Sequence, residues 1–400
     1  MILFNEQTKT FHLKTAKTSY LMKVLESGHL VHLYWGKALH TDNLDYAVRR
    51  RDFFSFVANT DNVQEFHLEA LCQEYPGYGS TDLRSPAVEL EYADGSSATD
   101  FRYVSHTITA GKPKLAGLPA TYVESDDEAQ TLEITLLDKV KNVEIVLSYS
   151  VFDAYDAIAR SAKIVNKSAD TVKIQRVLSA NIDFKDSKFD MIQLSGSWAR
   201  ERHIIRTPLR NGGQCVESRR GASSHAQNPF MALVRPDATE NTGDVYAVSL
   251  VYSGNFLANT EVDMYSNSRL QIGINPFDFT WQLKAGETFQ APEAVIVYSG
   301  EGLTGMSHIY QNLYGKRLMR GYWRDKVRPV LINNWEATYF DFDEVKIKAI
   351  AKQASEFGIE LFVLDDGWFG ERNNDDRSLG DWIVNENKIH GGLKKLVDEV

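Results

Sequence analysis

Cysteine is scarce: Cys72 and Cys215 are the two in the chain. Two residues so far apart in sequence make neither a disulfide framework nor a metal-ligand cluster. No apolar run approaches the ~18 residues of a membrane-spanning helix. The opening segment Met1-Ile2-Leu3-Phe4-Asn5-Glu6 lacks a basic stretch followed by a long apolar one, so no secretory signal is expected. Positive charge is outweighed, with 44 Lys and Arg against 54 Asp and Glu and a formal net charge of -10. That balance argues against nucleic acid or an anionic membrane as a partner. Arg49–Arg51 and Arg219–Arg220 are short clusters suited to ion pairs or subunit contacts. There is no His-Glu-x-x-His, no Walker loop, no dinucleotide fingerprint and no Gly-x-Ser-x-Gly elbow. Asn373-Asn374-Asp375-Asp376 has the look of a calcium loop but lacks the glycine and distal glutamate in register. The expectation is a protein of the reducing cytoplasm with no metal and no cofactor.

What the chain does have is β pattern. Its 400 residues are enough for two or three domains. Up to about residue 300, alternating or apolar segments recur between turn signals. Tyr20–Leu25, Leu30–Trp35, Leu132–Leu137, Val143–Tyr149, Val172–Ser179, Val245–Tyr252 and Ala294–Tyr298 are examples. Many strands without crossover helices predict a large β-sandwich. Met306, Ile309, Tyr310, Leu313 and Tyr314 then fall at helical spacing, predicting one amphipathic helix from Leu303 to about Met319 that links two domains.

From Arg328 the pattern turns α/β. Pro329–Ile332 is an apolar strand ending on Asn333-Asn334-Trp335-Glu336. Asp341 or Asp343 can cap a helix whose buried face is read as Val345, Ala349, Ile350, Ala354 and Phe357, with Gly358 ending it. The strand Ile359–Leu364 follows, completing a βαβ unit. Leu393, Leu396, Val397 and Val400 mark a further helix that is still running at the last residue. A closed barrel of eight strands takes about 250 residues, so the chain reads as the front of a longer protein.

The second strand carries the most informative residues. Glu360-Leu-Phe-Val-Leu-Asp365-Asp366-Gly367-Trp368-Phe369-Gly370 is a short apolar run that stops on two carboxylates, a glycine and a tryptophan. In a parallel barrel, residues just past a strand's C-terminal end line the active site. Carboxylates accept hydrogen bonds from sugar hydroxyls, and an indole face packs on the C–H side of a pyranose. Adjacent residues have Cα atoms about 3.8 Å apart and approach a sugar from one side. A glycosidase's two catalytic carboxyls flank the scissile bond, roughly 5–5.5 Å apart when retaining and 6.5–9.5 Å when inverting. The pair is therefore assigned to binding rather than bond breaking. Both side chains can reach one ligand only if the strand has ended, and Gly367 permits that departure.

Three runs carry a resemblance. They are Glu74-Tyr75-Pro76 with Arg84-Ser85-Pro86; Glu217-Ser218-Arg219-Arg220-Gly221-Ala222-Ser223-Ser224-His225 with Asn228-Pro229-Phe230; and Asn333-Asn334-Trp335-Glu336-Ala337-Thr338 with Leu364-Asp365-Asp366-Gly367-Trp368-Phe369. From end to end the chain resembles bacterial α-galactosidases (melibiases) of glycoside hydrolase family 36. The resemblance implies a multidomain protein: an N-terminal all-β supersandwich over 1–300, a linker helix over 301–325, and over 326–400 the first part of a (β/α)8 TIM barrel, cut off after about two strands. It implies retaining hydrolysis of terminal α-galactose from melibiose, raffinose and stachyose, and a homo-oligomer, commonly a tetramer.

By the same resemblance, Asp365 and Asp366 hold the galactose hydroxyls and Trp335 shapes the sugar pocket. Asp52 and Trp198 match further substrate-contacting residues. Taken on the residues alone, Asp52 is a salt-bridge partner for its three arginines and Trp198 a core or interface anchor. The family's nucleophile belongs to a Lys-Trp-Asp motif on the fourth barrel strand and its acid/base lies near the sixth. Neither segment is here, and Asp381-Trp382 has the reverse order. Nucleophile and acid/base are therefore expected beyond Val400, and the chain alone is expected to be inactive. Two other readings stay open: galactosyl transfer by a relative of the raffinose-type synthases, and a non-catalytic sugar-binding or assembly protein.

Overall fold

The computed structural model describes residues 1–48, 67–79 and 81–400. They form two compact units, Met1–Met319 and Arg320–Val400. Among the described residues, no helix is long and apolar enough to cross a membrane.

The first unit is built of antiparallel sheets. The largest runs from edge to edge Arg200–Pro208, Asp190–Ser197, Gln227–Val234, Val245–Val251, Glu293–Ser299, Ala157–Asn166, Val143–Phe152, Gln130–Asp138 and Phe101–Ala110. A second sheet orders Gly212–Glu217, Phe256–Val262, Ser268–Ile274, Val172–Phe184 and Trp281–Leu283, with Val88–Glu91 also on Val172–Phe184. A third is the meander Ile2–Asn5, Thr10–Lys14, Thr18–Val24 and Leu30–Lys37.

All three sheets share one core. Phe11 and Tyr20 from the meander, Ile174 and Ile272 from the second sheet, and Ile145 and Ile296 from the largest pack into a single cluster. The opposite face of the largest sheet is covered by the helix Gly302–Arg317 through Met306, Tyr310 and Leu313. Burial on both faces explains why Glu293–Ser299 is buried throughout. Its Ala294, Ile296 and Tyr298 enter one core while Val295 and Val297 enter the other. Each large apolar side chain so buried contributes about 1.5–3 kcal/mol. The helix is also tied by polarity, the Tyr310 hydroxyl donating to the Val295 carbonyl at 3.0 Å.

Buried charges in this unit gather into networks. The fully buried Glu74 carboxylate meets Arg160 Nη2 at 2.7 Å. It also accepts from the hydroxyls of Tyr20 and Tyr149, both at 2.7 Å. Arg269 bridges Asp82 and Asp183, each at 2.8 Å, and Arg84 lies on Asp82 at 2.8 Å. The Glu74-Tyr75-Pro76 and Arg84-Ser85-Pro86 runs are thus parts of buried ion-pair networks in the sandwich. His225, in the third run quoted from this region, is exposed.

In the second unit, Leu331–Asn333 pairs in parallel with Leu361–Val363. Between them runs the helix Glu344–Glu356, capped by Asp343, whose Oδ1 accepts the Lys346 N–H at 2.8 Å. The predicted buried face of this helix needs correction. Ile347 and Ala354 are its buried residues, while Val345, Ala349 and Phe357 are exposed. A two-stranded layer covers only a narrow stripe of the cylinder. The small core beneath it is Phe342, Ile347, Ile389 and Leu396, with Phe362, Leu364, Trp368 and Val384 packed alongside. In the last helix, Gly392–Glu399, Leu396 is buried as expected but Val397 is exposed.

Candidate functional site

The parallel register pairs Asn333 with Val363, so both strands end level. Asn334 and Trp335 follow the first strand; Leu364, Asp365 and Asp366 follow the second. Asn334 is fully buried and joins the two ends. Its N–H donates to the Val363 carbonyl at 3.2 Å and its Oδ1 accepts the Asp365 N–H at 2.8 Å. Its Nδ2 donates to Thr338 Oγ1 at 2.9 Å. Asn333 makes the second tie, its Nδ2 donating to Asp365 Oδ2 at 2.5 Å while its Oδ1 accepts the Trp335 N–H at 2.8 Å. An amide has both a donor and an acceptor end, so two adjacent asparagines can fix a tryptophan backbone and a carboxylate together.

The chain then turns away. Asp365 Oδ1 accepts the Asp366 N–H, and Asp366 Oδ1 accepts the Gly367 N–H, both at 2.7 Å. Gly367 has φ +92°, where a side chain is strained, and an added Cβ would lie 3.0 Å from Phe340 Cδ1. The departure that the sequence required of Gly367 is present.

Asp366 is gripped by Arg372. The guanidinium Nε donates to its two oxygens at 2.9 and 3.0 Å, and Nη2 lies 2.9 Å from Oδ2. Arg372 Nη1 donates to the carbonyls of Asn374 and Arg377 at 3.1 and 2.9 Å, fastening the loop that follows. The Arg372 guanidinium holds the Asp366 carboxyl below the usual carboxylate value. Lys388 spans the site's underside, donating to the carbonyls of Phe340 and Gly367 at 2.8 and 3.1 Å. Burial lowers its ammonium's pKa. Trp335 is half-buried, edge-on to Tyr339 and Phe340 with centroids 5.3 and 4.9 Å away. Trp368, Phe369 and Trp382 form a second aromatic group, with centroids 5.1 and 4.7 Å apart in succession.

Three of the five expected site residues, Trp335, Asp365 and Asp366, thus lie at neighbouring strand ends. Trp198 belongs to the first unit. It sits at the tip of the hairpin joining Asp190–Ser197 to Arg200–Pro208 and is 85% exposed, so it is no core residue. A hairpin tip beside an edge strand has no second layer to bury it. Asp52 lies outside the described residues. Arg372 and Lys388 were not singled out by sequence. The available signal was an arginine six positions after a carboxylate in a loop rich in Asp and Asn.

The profile of the glycosyl hydrolase family 36 N-terminal domain matches residues 28–284, and the melibiase profile matches 288–400. The chain is 54% identical over 400 residues to α-galactosidase AgaA of Geobacillus stearothermophilus, covering all of this chain and 55% of that relative. It is 41% identical to α-galactosidase Mel36A of Lactobacillus acidophilus, again over all of this chain and 55% of the relative. The crystal structure of AgaB from Geobacillus stearothermophilus superposes with a TM-score of 0.95 at 52% identity, over all of this chain and 55% of that one. A variant of AgaA in complex with raffinose gives 0.95 at 53%, over 98% of this chain and 55% of that one. The chain spans about half the length of the curated relatives it matches.

Proposed function

Because the chain belongs to glycosyl hydrolase family 36, we propose that the protein it represents is an α-galactosidase, and that the Asp365–Asp366 pair binds the terminal galactose. Its substrates are α-galactosides of the raffinose and stachyose type, the sugars found with a related α-galactosidase. Hydrolysis proceeds with retention. Trp335 forms a wall of the galactose pocket, and Trp198 and Asp52 supply further substrate contacts.

One observation carries this reading: two adjacent carboxylates leave the end of one parallel strand, the first residue tied to the neighbouring strand's asparagines and the second to Arg372. A carboxylate with spare lone pairs at that place receives hydroxyl protons. Charge-assisted bonds of this kind are worth about 1.5–3 kcal/mol each. A site built on them rejects an epimer whose hydroxyl points elsewhere.

The same geometry argues against a catalytic role for the pair. Asp365 and Asp366 are consecutive, whereas nucleophile and acid/base stand on opposite sides of the bond. Asp366 is further committed to Arg372. Nucleophile and acid/base are therefore supplied by residues other than this pair, and the chain alone is expected to turn over no galactoside. The two parallel strands are the start of a (β/α)8 barrel. Leu331 and Leu361 on them are exposed, which suits strands that further layers cover. The protein assembles as a homotetramer, supported by the exposed Trp198 and the exposed edge strand beside it. A content of two cysteines in 400 residues suits the cytoplasm.

The test is release of nitrophenol from 4-nitrophenyl α-galactoside by the purified chain. Background turnover is expected, with saturable galactose binding that Asp365→Asn and Asp366→Asn each weaken at least tenfold, the worth of one charge-assisted bond. Turnover at the rate of a full-length relative, or binding indifferent to both substitutions, would overturn the reading.

A further inference from the structure

Within the first unit, a cleft of about 670 Å³ opens where the helix Gly302–Arg317 starts. Its walls come from the turn Ala16–Lys17, the end of Leu30–Lys37, the segment Ala154–Asp156 and the helix's first turns. Small side chains at Ala16, Ala38 and Ala154 keep its floor open.

The polar groups facing this space have unspent hydrogen-bonding capacity. Asp156 Oδ1 accepts from Thr15 Oγ1 and the Lys17 N–H at 2.7 and 3.0 Å. Asp244 Oδ1 accepts the Tyr298 hydroxyl at 2.7 Å, and Glu301 Oε1 meets Lys17 Nζ at 2.9 Å. In each carboxylate the second oxygen has no partner among the described residues. On the helix, His308 and Asn312 stand four residues apart on one face. Their side chains and the Lys37 ammonium likewise lack partners among the described residues.

The charges decide what such a cleft accepts. Three carboxylates repel a phosphate or a carboxylate ligand. Lys17 and Lys37 offset two of the three carboxylates, which leaves little net charge to hold an organic cation. Among the described residues, no three or more His, Cys, Asp or Glu side chains converge to hold a metal ion. The lining mixes polar and apolar surface, so a purely apolar guest would leave its carboxylates and ammonium groups unmatched. A neutral molecule bearing many hydroxyls matches a wall that mixes acceptors and donors, and the volume is that of a multi-ring ligand. We propose that this cleft is a second saccharide-binding site, separate from the Asp365–Asp366 pair, in which the side chains of Lys37, Asp244, His308 and Asn312 hold the hydroxyls of an oligosaccharide.

The experiment starts from the full chain carrying Asp365→Asn and Asp366→Asn, titrated with raffinose by calorimetry. Saturable raffinose binding is expected to persist there. Adding His308→Ala and Asn312→Ala is expected to weaken it roughly tenfold or more, the worth of two hydrogen bonds. Both are exposed helix positions, so unchanged circular dichroism confirms folding. Saturating raffinose is also expected to slow acylation of Lys37 several-fold, read by mass spectrometry, while the exposed Lys114 reacts at its usual rate. No binding after the two Asp→Asn changes, binding indifferent to the helix substitutions, or an unprotected Lys37 would each overturn the proposal. Failure of the first site is read separately, as wild-type protein and the Asp→Asn variant giving the same titration.

Discussion

Arg372 lies along the carboxylate of Asp366, with Nε 2.9 and 3.0 Å from the two oxygens and Nη2 at 2.9 Å. Nη1 donates to two backbone carbonyls of the following loop, and Nη2 also reaches the Asp375 carboxylate at 3.5 Å. The guanidinium therefore aims one of the two carboxylates proposed to bind the sugar while closing the loop. It also lowers that carboxyl's pKa. For a depressed carboxyl, the stabilisation is present above the ordinary Asp value, about 3.9, and is lost as pH falls through the lower folded value. Arg372→Gln is expected to move the acid limb of galactose binding to higher pH and to weaken binding at neutral pH. Arg372→Lys restores the charge but not the two-pronged geometry and recovers part of the loss. Calorimetric titration with galactose across the acid range checks both. An unmoved acid limb would show that Arg372 does not govern Asp366.

The turn after the carboxylates makes a second test. Gly367→Ala places a Cβ at φ +92°, within 3.0 Å of Phe340 and 3.3 Å of Phe342. The backbone strain costs about 1–2 kcal/mol, and the aromatic contacts add to it. The expected result is a lower unfolding midpoint for the second unit together with lost galactose affinity. Urea unfolding reports the first, followed by tryptophan fluorescence in a background where Trp35, Trp198 and Trp281 of the first unit are replaced by Phe, so that the signal comes from the second unit.

In the sandwich, Arg160→Met leaves the fully buried Glu74 without its cation. Removing one partner of a buried pair costs about 3–5 kcal/mol. Removing the charge as well, with Glu74→Gln beside Arg160→Met, is expected to return part of that stability. Denaturant titration of the three variants gives the coupling. Equal stability of the single and double variants would contradict it.

The cap of the crossover helix is simpler. Asp343→Ala removes the acceptor of the Lys346 N–H. A loss of about 1 kcal/mol is expected, the usual worth of an N-cap. Thermal unfolding checks it.

Legibility from sequence followed burial. Val143–Phe152 announces itself because Val143, Ile145, Leu147, Tyr149 and Val151 alternate into one core. The neighbouring Arg200–Pro208 is as much a strand, but it is exposed almost throughout and paired along one side, so no apolar period marks it. The helix Glu344–Glu356 shows the converse. The sequence marks Val345, Ala349, Ile350, Ala354 and Phe357 as its apolar stripe, yet of these only Ala354 is buried, and Ile347, outside that stripe, is the other buried residue. In the candidate site, Asp365 and Asp366 stand out because an apolar strand breaks on them. Arg372 does not, because its partner is set by how an aperiodic loop folds back.

The central claim is that Asp365 and Asp366 hold a galactose, and a crystal structure of the protein with bound raffinose tests it most directly. The expected result is the terminal galactose seated past the ends of Leu331–Asn333 and Leu361–Val363, its hydroxyls within about 3 Å of both carboxylates. Raffinose bound elsewhere, with the two carboxylates touching only protein or bulk water, would contradict it.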